Sequence, residues 1–189
     1  MKLYLLRHGQ TPASEKHLYC GKTDLGLSEN GLAVLKEKRA KTAGFSPASL
    51  RVVSSGMLRC EQTLTALFGD LAHEIDPAFC EMDFGDFEMR SYEELKNDPA
   101  YLAWIDGDNE ANVAPGGESG EGLRARVLPA LERLICDGRD TLLVTHGGVI
   151  ALIMAHLFPA ENKSRYAWQP AAGSGYAVDL AAHAYRPFF

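Results

Sequence analysis

An apolar run near the start of the chain, Leu3-Tyr4-Leu5-Leu6, leads directly into the polar sequence Arg7-His8-Gly9-Gln10-Thr11. The apolar run predicts a short buried strand over residues 2–6, so the polar residues follow its carboxyl end. In open α/β sheets, ligands bind beyond that end of the strands. Arg presents planar donors that match phosphate oxygens, neutral His carries a nucleophilic nitrogen, and Gly permits close backbone approach. The sequence therefore predicts an α/β fold in which His8 attacks phosphorus.

The order of an apolar strand, a turn and a helix recurs along the chain. Strands are predicted over residues 50–54 and 141–145, and helices follow over residues 57–68 and 149–157. Strands that alternate with helices form a mostly parallel sheet covered on both faces. The predicted fold is a three-layer α/β sandwich, and the 189 residues are expected to form one domain, residues 1–189.

Capping residues and periodicity predict the remaining elements. Ser28 is a candidate N-cap of a helix that ends near Gly44, with Leu32, Leu35 and Ala40 facing the core. Candidate core positions in the helix at 57–68 are Leu58, Leu64, Leu67 and Phe68. The others are a short strand at 74–76, a helix at 92–104 broken at Asp98-Pro99, a polar loop at 106–117, a helix at 119–136 kinked or begun later at Pro129, and an edge strand at 176–180.

Composition and net charge argue against several classes of binding partner. The formal net charge of −6 argues against a nucleic-acid binder with a generally basic surface. The four cysteines are scattered without a CxxC pair, which argues against a disulfide framework or zinc site and fits a reducing cytoplasm. No secretory signal and no run of about 18 apolar residues is present. The expected partner is a small phosphate ester, with no metal, cofactor, nucleic acid or membrane, and a homodimer is left open.

Five segments in order resemble the histidine phosphatase superfamily, which includes the cofactor-dependent phosphoglycerate mutases. The resemblance spans residues 2 to about 158 and implies the phosphoglycerate mutase-like fold. Its segments are Arg7-His8-Gly9-Gln10-Thr11, the stretch 54–63, the stretch 81–88, Gly117-Glu118-Ser119 with Arg126 following, and the stretch 144–148.

The resemblance implies roles for four of these side chains. His8 would form a phosphohistidine intermediate, and Arg7 and Arg59 would hold the phosphoryl oxygens. His146, in a second strand-to-helix turn, would contact and steady the same group. The non-catalytic alternatives are a structural histidine at each strand end and a surface arginine at position 59.

A carboxyl group is also needed, to protonate the leaving oxygen and later to activate water. The resemblance assigns this role to Glu81, the first Glu of Glu-x-x-Phe-Gly-x-aromatic-Glu. Asp83, Asp86 and Glu88 are local alternatives, each otherwise a solvated loop carboxylate. Further candidate substrate-binding residues are Gln10, Thr11, Ser14 (where the family often has Asn), Cys20, Gly21 and Gly147.

Within the superfamily, residues 81–90 look most like the α-ribazole phosphatases of cobalamin assembly. The short, acidic stretch between Glu81 and Gly117 argues against a mutase, which needs room and basic groups for a second anion. Tyr92, Tyr101 and Trp104 offer aromatic faces for a flat benzimidazole, or else form core. The predicted activity is hydrolysis of α-ribazole 5′-phosphate. The alternatives are a broad-specificity phosphomonoesterase, a phosphoglycerate mutase and a non-catalytic phosphate-binding domain.

Overall fold

The computed structural model of the chain describes residues 1–41, 44–107 and 110–189. Within these residues six strands form one sheet in the order β3-β2-β4-β1-β5-β6. The strands are β1 (Lys2–Arg7), β2 (Arg51–Ser54), β3 (Glu74–Ile75), β4 (Thr141–Thr145), β5 (Gly175–Asp179) and β6 (Ala184–Phe188).

The sheet is mixed, with a parallel part and an antiparallel edge. β1, β2, β3 and β4 pair in parallel, and Leu5 of β1 lies opposite Leu143 of β4. β5 pairs antiparallel with β1, and β6 pairs antiparallel with β5. The predicted strand at 176–180 therefore exists, but its edge position is wrong because β6 covers its outer side.

The helices follow the predicted alternation with strands. They are α1 (Pro12–Glu15), α2 (Glu29–Lys41), α3 (Leu58–Phe68), α4 (Tyr92–Leu95), α5 (Pro99–Ile105), α6 (Gly120–Asp137) and α7 (Gly147–Leu157), with single 3-10 turns at Pro47–Ser49, Pro77–Phe79, Gly85–Phe87, Pro159–Glu161 and Arg165–Trp168.

Local sequence signals explain several helix boundaries. The Ser28 hydroxyl accepts from the Gly31 amide at 2.9 Å and so caps α2 as predicted. The break at Asp98-Pro99 separates α4 from α5, with Asp98 as the N-cap of α5. α6 begins at Gly120 with Ser119 as its cap and continues through Pro129, so a later start at the proline is wrong.

Two apolar clusters lie on opposite faces of the sheet, as the period of two along a strand requires. Leu3 and Leu5 of β1 pack with α6 and α7 on one face, and Leu6 packs with α2 and α3 on the other. Leu35 is buried as predicted, but Ala40 and Leu58 are exposed, because they lie on the solvent side of α2 and α3. The three-layer prediction is confirmed.

Two findings concern regions outside this core. The predicted loop at 106–117 joins α5 to α6, and its positions 108 and 109 lie outside the described residues. Among the helices of the described residues, none is both long enough and apolar enough to cross a membrane.

Candidate active site

His8 lies at the carboxyl end of β1, beside the carboxyl end of β4. Its ring Nδ1 is 2.7 Å from the carbonyl oxygen of Gly9. A carbonyl oxygen only accepts, so Nδ1 carries the ring proton and Nε2 keeps its lone pair. Burial, and then the neighbouring Arg59 and Arg7, lower the pKa of His8 to about 3. The side chain is therefore neutral at pH 7, with one nitrogen available for nucleophilic attack.

His146 follows β4 and is fully buried, with its ring centroid 5.2 Å from that of His8. Its Nδ1 accepts from Arg59 Nε at 3.2 Å, so the ring proton resides on Nε2. Nε2 donates to the hydroxyl of Ser55, 2.9 Å away. Burial, followed by the electrostatic influence of neighbouring His8 and Arg59, keeps the pKa of His146 well below its ordinary value. Both imidazoles are therefore neutral.

Arg59 occupies the first turn of α3 and is 1% exposed. One terminal nitrogen donates to the carbonyl oxygen of Thr23 at 2.9 Å, and the other to that of Gly21 at 2.7 Å. Arg7, at the end of β1, donates to the carbonyl oxygen of Pro170 at 2.7 Å, and its buried Nε has no hydrogen-bond partner among the described residues. Burial lowers the pKa of Arg7, and the Glu81 carboxylate opposes that shift. The two guanidinium groups place positive charge beside His8.

The Glu81 carboxyl group is held against the start of α7. One oxygen accepts from the Met82 amide at 3.0 Å, and the other accepts from the Gly148 amide at 2.9 Å. A Cβ atom at Gly148 would lie 2.4 Å from Glu81 Oε1, so this approach requires glycine. Glu81 is the carboxylate of residues 81–88 that lines the same cavity as His8.

Glu88 is not the solvated carboxylate that one interpretation of the sequence expects. Its two oxygens accept from the backbone amides of Gly21, Lys22, Thr23 and Phe84, at 2.9 to 3.1 Å. The amides of this loop are thus used by a side chain of the protein itself. The loop carbonyls of Gly21 and Thr23 face the other way, toward Arg59. Glu88 thereby fixes the surroundings of Arg59.

A cavity of about 800 Å³ opens in front of His8. Of the residues predicted for the site, it is lined by Arg7, His8, Thr11, Ser14, Cys20, Arg59 and Glu81. His146 lies behind this wall and reaches the cavity through Arg59. Thr11 and Ser14 bond to each other in the capping box of α1.

Three predicted binding residues do not line the cavity. Gln10 accepts from the side-chain amide of Asn30 at 2.8 Å, and the Gly21 amide donates to Glu88. At the start of α7, the cavity is lined by Gly148 rather than Gly147.

One part of the cavity is lined by aromatic side chains. Tyr19, Phe84 and Trp104 line it, with ring centroids of neighbouring pairs 5.2 to 6.1 Å apart. Tyr101 touches the cavity but is 2% exposed, because it packs against Phe87 and Leu95. Its hydroxyl pairs with that of Tyr19 at 2.7 Å. Tyr166, which sequence analysis missed, lines the cavity with 77% of its surface exposed. Tyr92, which was predicted as an aromatic face, lies outside the lining.

Other residues missed by sequence analysis are Ser55, Gly148 and Arg126, which bond to His146, Glu81 and the backbone around Glu81. Each lies inside one of the five segments that resemble the superfamily. Those segments indicate the region of the site but do not indicate which side chain or amide each residue contacts. Within the described residues, no group of three or more His, Cys, Asp or Glu side chains is placed to hold a metal ion.

Comparison with known proteins agrees with this geometry. A sequence profile of the histidine phosphatase superfamily (branch 1) matches residues 3–186. The chain belongs to the histidine phosphatase superfamily. Relatives within it that match 95% of the chain include adenosylcobalamin/α-ribazole phosphatases, and this chain is a phosphatase.

The similar proteins within the superfamily include two phosphatases and a mutase. An adenosylcobalamin/α-ribazole phosphatase of Salmonella typhimurium is 31% identical over 188 residues, which cover 95% of this chain and 91% of that protein. The crystal structure of the α-ribazole phosphatase from Shigella flexneri superposes with a TM-score of 0.84 at 29% identity, over 100% of this chain and 96% of that one. A 2,3-bisphosphoglycerate-dependent phosphoglycerate mutase of Brucella anthropi is 33% identical over 171 residues, or 81% of this chain and 80% of that protein.

Proposed function

We propose that this phosphatase hydrolyses α-ribazole 5′-phosphate through a phosphohistidine formed on His8. One observation carries the proposal: a single cavity is lined both by the His8, Arg7 and Arg59 cluster and by aromatic side chains that include Trp104 and Tyr166. A substrate that carries a phosphate and a flat apolar base matches both kinds of lining. The names of the relatives support the same substrate class.

In the first step, His8 Nε2 attacks phosphorus and the phosphorus–oxygen bond to the ribose breaks. Arg7 and Arg59 neutralise the charge that the transferring group carries. Glu81 donates its carboxyl proton to the departing 5′-oxygen, which leaves as the alcohol. His146 holds Arg59 by accepting from its Nε, and so acts on the phosphoryl group through that arginine.

In the second step, the Glu81 carboxylate removes a proton from a water molecule, and the resulting oxygen attacks the phosphohistidine. The phosphorus–nitrogen bond breaks, and the electron pair returns to His8 Nε2. Inorganic phosphate leaves, with Glu81 protonated again for the next turnover. Because both proton transfers occur at the same face of phosphorus, one carboxyl group serves for both.

The substrate assignment is tested by comparing kcat/KM for α-ribazole 5′-phosphate, 3-phosphoglycerate and p-nitrophenyl phosphate. We expect the ribazole ester to exceed both others by about 10-fold or more, since it alone combines a phosphate with a ribose-linked bicyclic base that the aromatic side chains of the cavity can cover. Equal or lower efficiency on the ribazole ester rejects the substrate and favours a broad-specificity phosphomonoesterase. Conversion of 3-phosphoglycerate to 2-phosphoglycerate at a comparable rate would instead favour the mutase.

The covalent step has a separate test. Phosphohistidine is labile in acid and stable in alkali, whereas phosphoserine has the opposite stability. Rapid mixing with ³²P-labelled substrate and an alkaline quench is therefore expected to trap an acid-labile phosphoenzyme. His8→Asn should abolish the label, whereas His156→Asn, at an exposed position, should retain it. A wild-type chain that never labels during turnover would argue for a binding domain or for direct attack by water.

A further inference from the structure

All N–H donors of Arg126 are used, by the backbone that carries Glu81 and by the carboxylate of Glu118. Its two terminal nitrogens donate to the carbonyl oxygens of Ala78, Cys80 and Glu81 at 2.7 to 2.9 Å. Its Nε and one terminal nitrogen also donate to the two carboxylate oxygens of Glu118, at 2.8 and 2.9 Å. A single guanidinium group therefore binds three backbone carbonyls of one short segment and also forms a bidentate ion pair with Glu118.

The rest of this segment is held just as closely. The Thr145 hydroxyl donates to the Phe79 carbonyl at 2.6 Å, and the Glu118 amide donates to the Asp83 carbonyl at 2.8 Å. Residues 78–83 form no strand, so these side-chain and loop contacts replace the ladder bonds that would otherwise fix the backbone. Arg126 supplies the largest share of them.

Arg126 does not line the cavity that contains His8, so it has no direct contact with a substrate there. What it touches is the main chain at Glu81, whose carboxyl group does line the cavity. General acid catalysis requires the acid to lie within hydrogen-bond reach of the leaving oxygen, and small displacements reduce it steeply. Position 81 is therefore sensitive to the three carbonyl contacts.

We propose that Arg126, paired with Glu118, is a positioning residue that fixes Glu81 for proton transfer to the leaving oxygen. The transfer breaks the carboxyl O–H bond and forms an O–H bond on the leaving oxygen as the phosphorus–oxygen bond breaks. This inference rests on the proposed role of Glu81. It adds that the Glu118 and Arg126 motif acts on the reaction only through that residue.

Leaving-group dependence separates a positioning role from a structural one. A p-nitrophenolate ion leaves without a proton, whereas an alkoxide needs one, so loss of the acid harms alkyl esters selectively. We measure kcat/KM, which reports transfer to His8, for p-nitrophenyl phosphate, phenyl phosphate and an alkyl phosphate. For Arg126→Met we expect a fall of about 30-fold or more with the alkyl ester and of about 3-fold or less with p-nitrophenyl phosphate.

Two further variants keep the test decisive if Arg126→Met folds poorly. Arg126→Lys retains the charge but cannot reach three carbonyls and Glu118 together, and Glu118→Gln weakens the bidentate pair. Both variants are expected to lose activity selectively with the alkyl ester. Arg124→Lys, at an exposed position, is expected to leave kcat/KM unchanged with every ester. Full activity of Arg126→Lys with both esters would mean that only the charge matters, and would overturn the proposal.

A double-mutant cycle tests whether Arg126 affects the reaction through Glu81. Adding Arg126→Met to Glu81→Gln should lower alkyl-ester activity by about 2-fold or less, because the acid on which Arg126 acts is already absent. A uniform loss with all three esters, or additive losses in the cycle, would show a structural role and reject the inference. If Glu81→Gln itself shows no leaving-group dependence, the proposed role of Glu81 fails instead, which is a different outcome.

Discussion

Arg59 Nε donates a hydrogen bond to His146 Nδ1 at 3.2 Å, and this contact determines which nitrogen of His146 carries the proton. The remaining nitrogen then donates to Ser55, so both ring nitrogens are used within the protein. The second histidine of the site therefore orients a cation rather than offering a free N–H to the cavity. The phosphoryl group would meet Arg59, with His146 behind it.

Arg59→Lys is expected to lower kcat/KM by about 100-fold or more, with aryl and alkyl esters alike. A lysine ammonium cannot donate to His146 and to the carbonyls of Gly21 and Thr23 while also facing a phosphate. Steady-state kinetics measure the loss, and long-range ¹H–¹⁵N spectra of histidine report whether Nδ1 of His146 stays unprotonated. Arg124→Lys provides the exposed control. Activity within about 3-fold of wild type would contradict the assigned role of Arg59.

Gly148→Ala is expected to reduce activity selectively with substrates that need a protonated leaving group. The added Cβ would lie 2.4 Å from Glu81 Oε1, so the carboxyl group must move away from the start of α7. We expect kcat/KM for an alkyl phosphate to fall about 10-fold or more, with a smaller loss for p-nitrophenyl phosphate. Gly44→Ala is the matched control, because a methyl group there meets no atom of the described residues within 4 Å. Equal losses for both esters would contradict the prediction.

The free energy of unfolding should fall as the pH drops below about 6.5. His8 and His146 are held neutral in the folded protein, with the pKa of His8 lowered to about 3 and that of His146 well below its ordinary value. Between pH 7 and pH 5 the unfolded chain therefore binds protons that the folded chain does not. For His8 this difference lowers the free energy of unfolding by on the order of 2 kcal/mol over that interval, and His146 acts in the same direction. Urea unfolding at a series of pH values measures it.

Variants assign that pH dependence to the site. His8→Asn should remove roughly half of the slope between pH 7 and pH 5, whatever its effect on stability at pH 7. His156→Asn, at an exposed position, should leave the slope unchanged. An unchanged slope in His8→Asn would show that His8 is protonated normally in the folded protein, and that its lone pair is not protected by burial.

Sequence reasoning located the site because three strand-to-loop transitions carry polar residues at the carboxyl ends of buried strands. His8 and His146 follow β1 and β4, and those strands are parallel neighbours. Periodicity gives strands and helices but does not give their order in the sheet, so that adjacency had to be observed. β6 was missed because Pro187 interrupts its pattern. A proline is tolerated there because β6 lies at the edge of the sheet.

The sequence could not assign separate roles to neighbouring residues of the same chemical type, for a different reason. Asp86 and Glu88 stand two positions apart in one polar segment, yet Asp86 is exposed and Glu88 accepts from four amides. The 3-10 turn at Gly85–Phe87 decides which carboxylate faces inward. Likewise Gly147 and Gly148 are identical in type, and only the first turn of α7 directs the Gly148 amide at Glu81.

Glu88→Gln is expected to loosen the loop at residues 21–23 and lower kcat/KM by about 10-fold with all esters. The amide group of Gln turns an N–H toward backbone donors that now face a carboxylate, so at least one charge-assisted hydrogen bond is lost. Hydrogen exchange of peptides covering 21–23 should accelerate. Asp86→Asn, an exposed change in the same segment, should alter neither exchange nor rate. Unchanged exchange in Glu88→Gln would contradict the assigned function of its carboxylate.

Tyr166→Ala is expected to raise the KM for α-ribazole 5′-phosphate by about 3- to 10-fold and to leave p-nitrophenyl phosphate within about 2-fold of wild type. Tyr166 is 77% exposed and lines the same cavity as Tyr19 and Trp104, so its ring has surface available to cover a bound base. Tyr166→Phe keeps the ring face and should retain wild-type KM. Because the side chain packs little against the protein, thermal stability should change little in either variant. An equal KM increase with both substrates, or a loss in Tyr166→Phe as large as in Tyr166→Ala, would place the base elsewhere in the cavity.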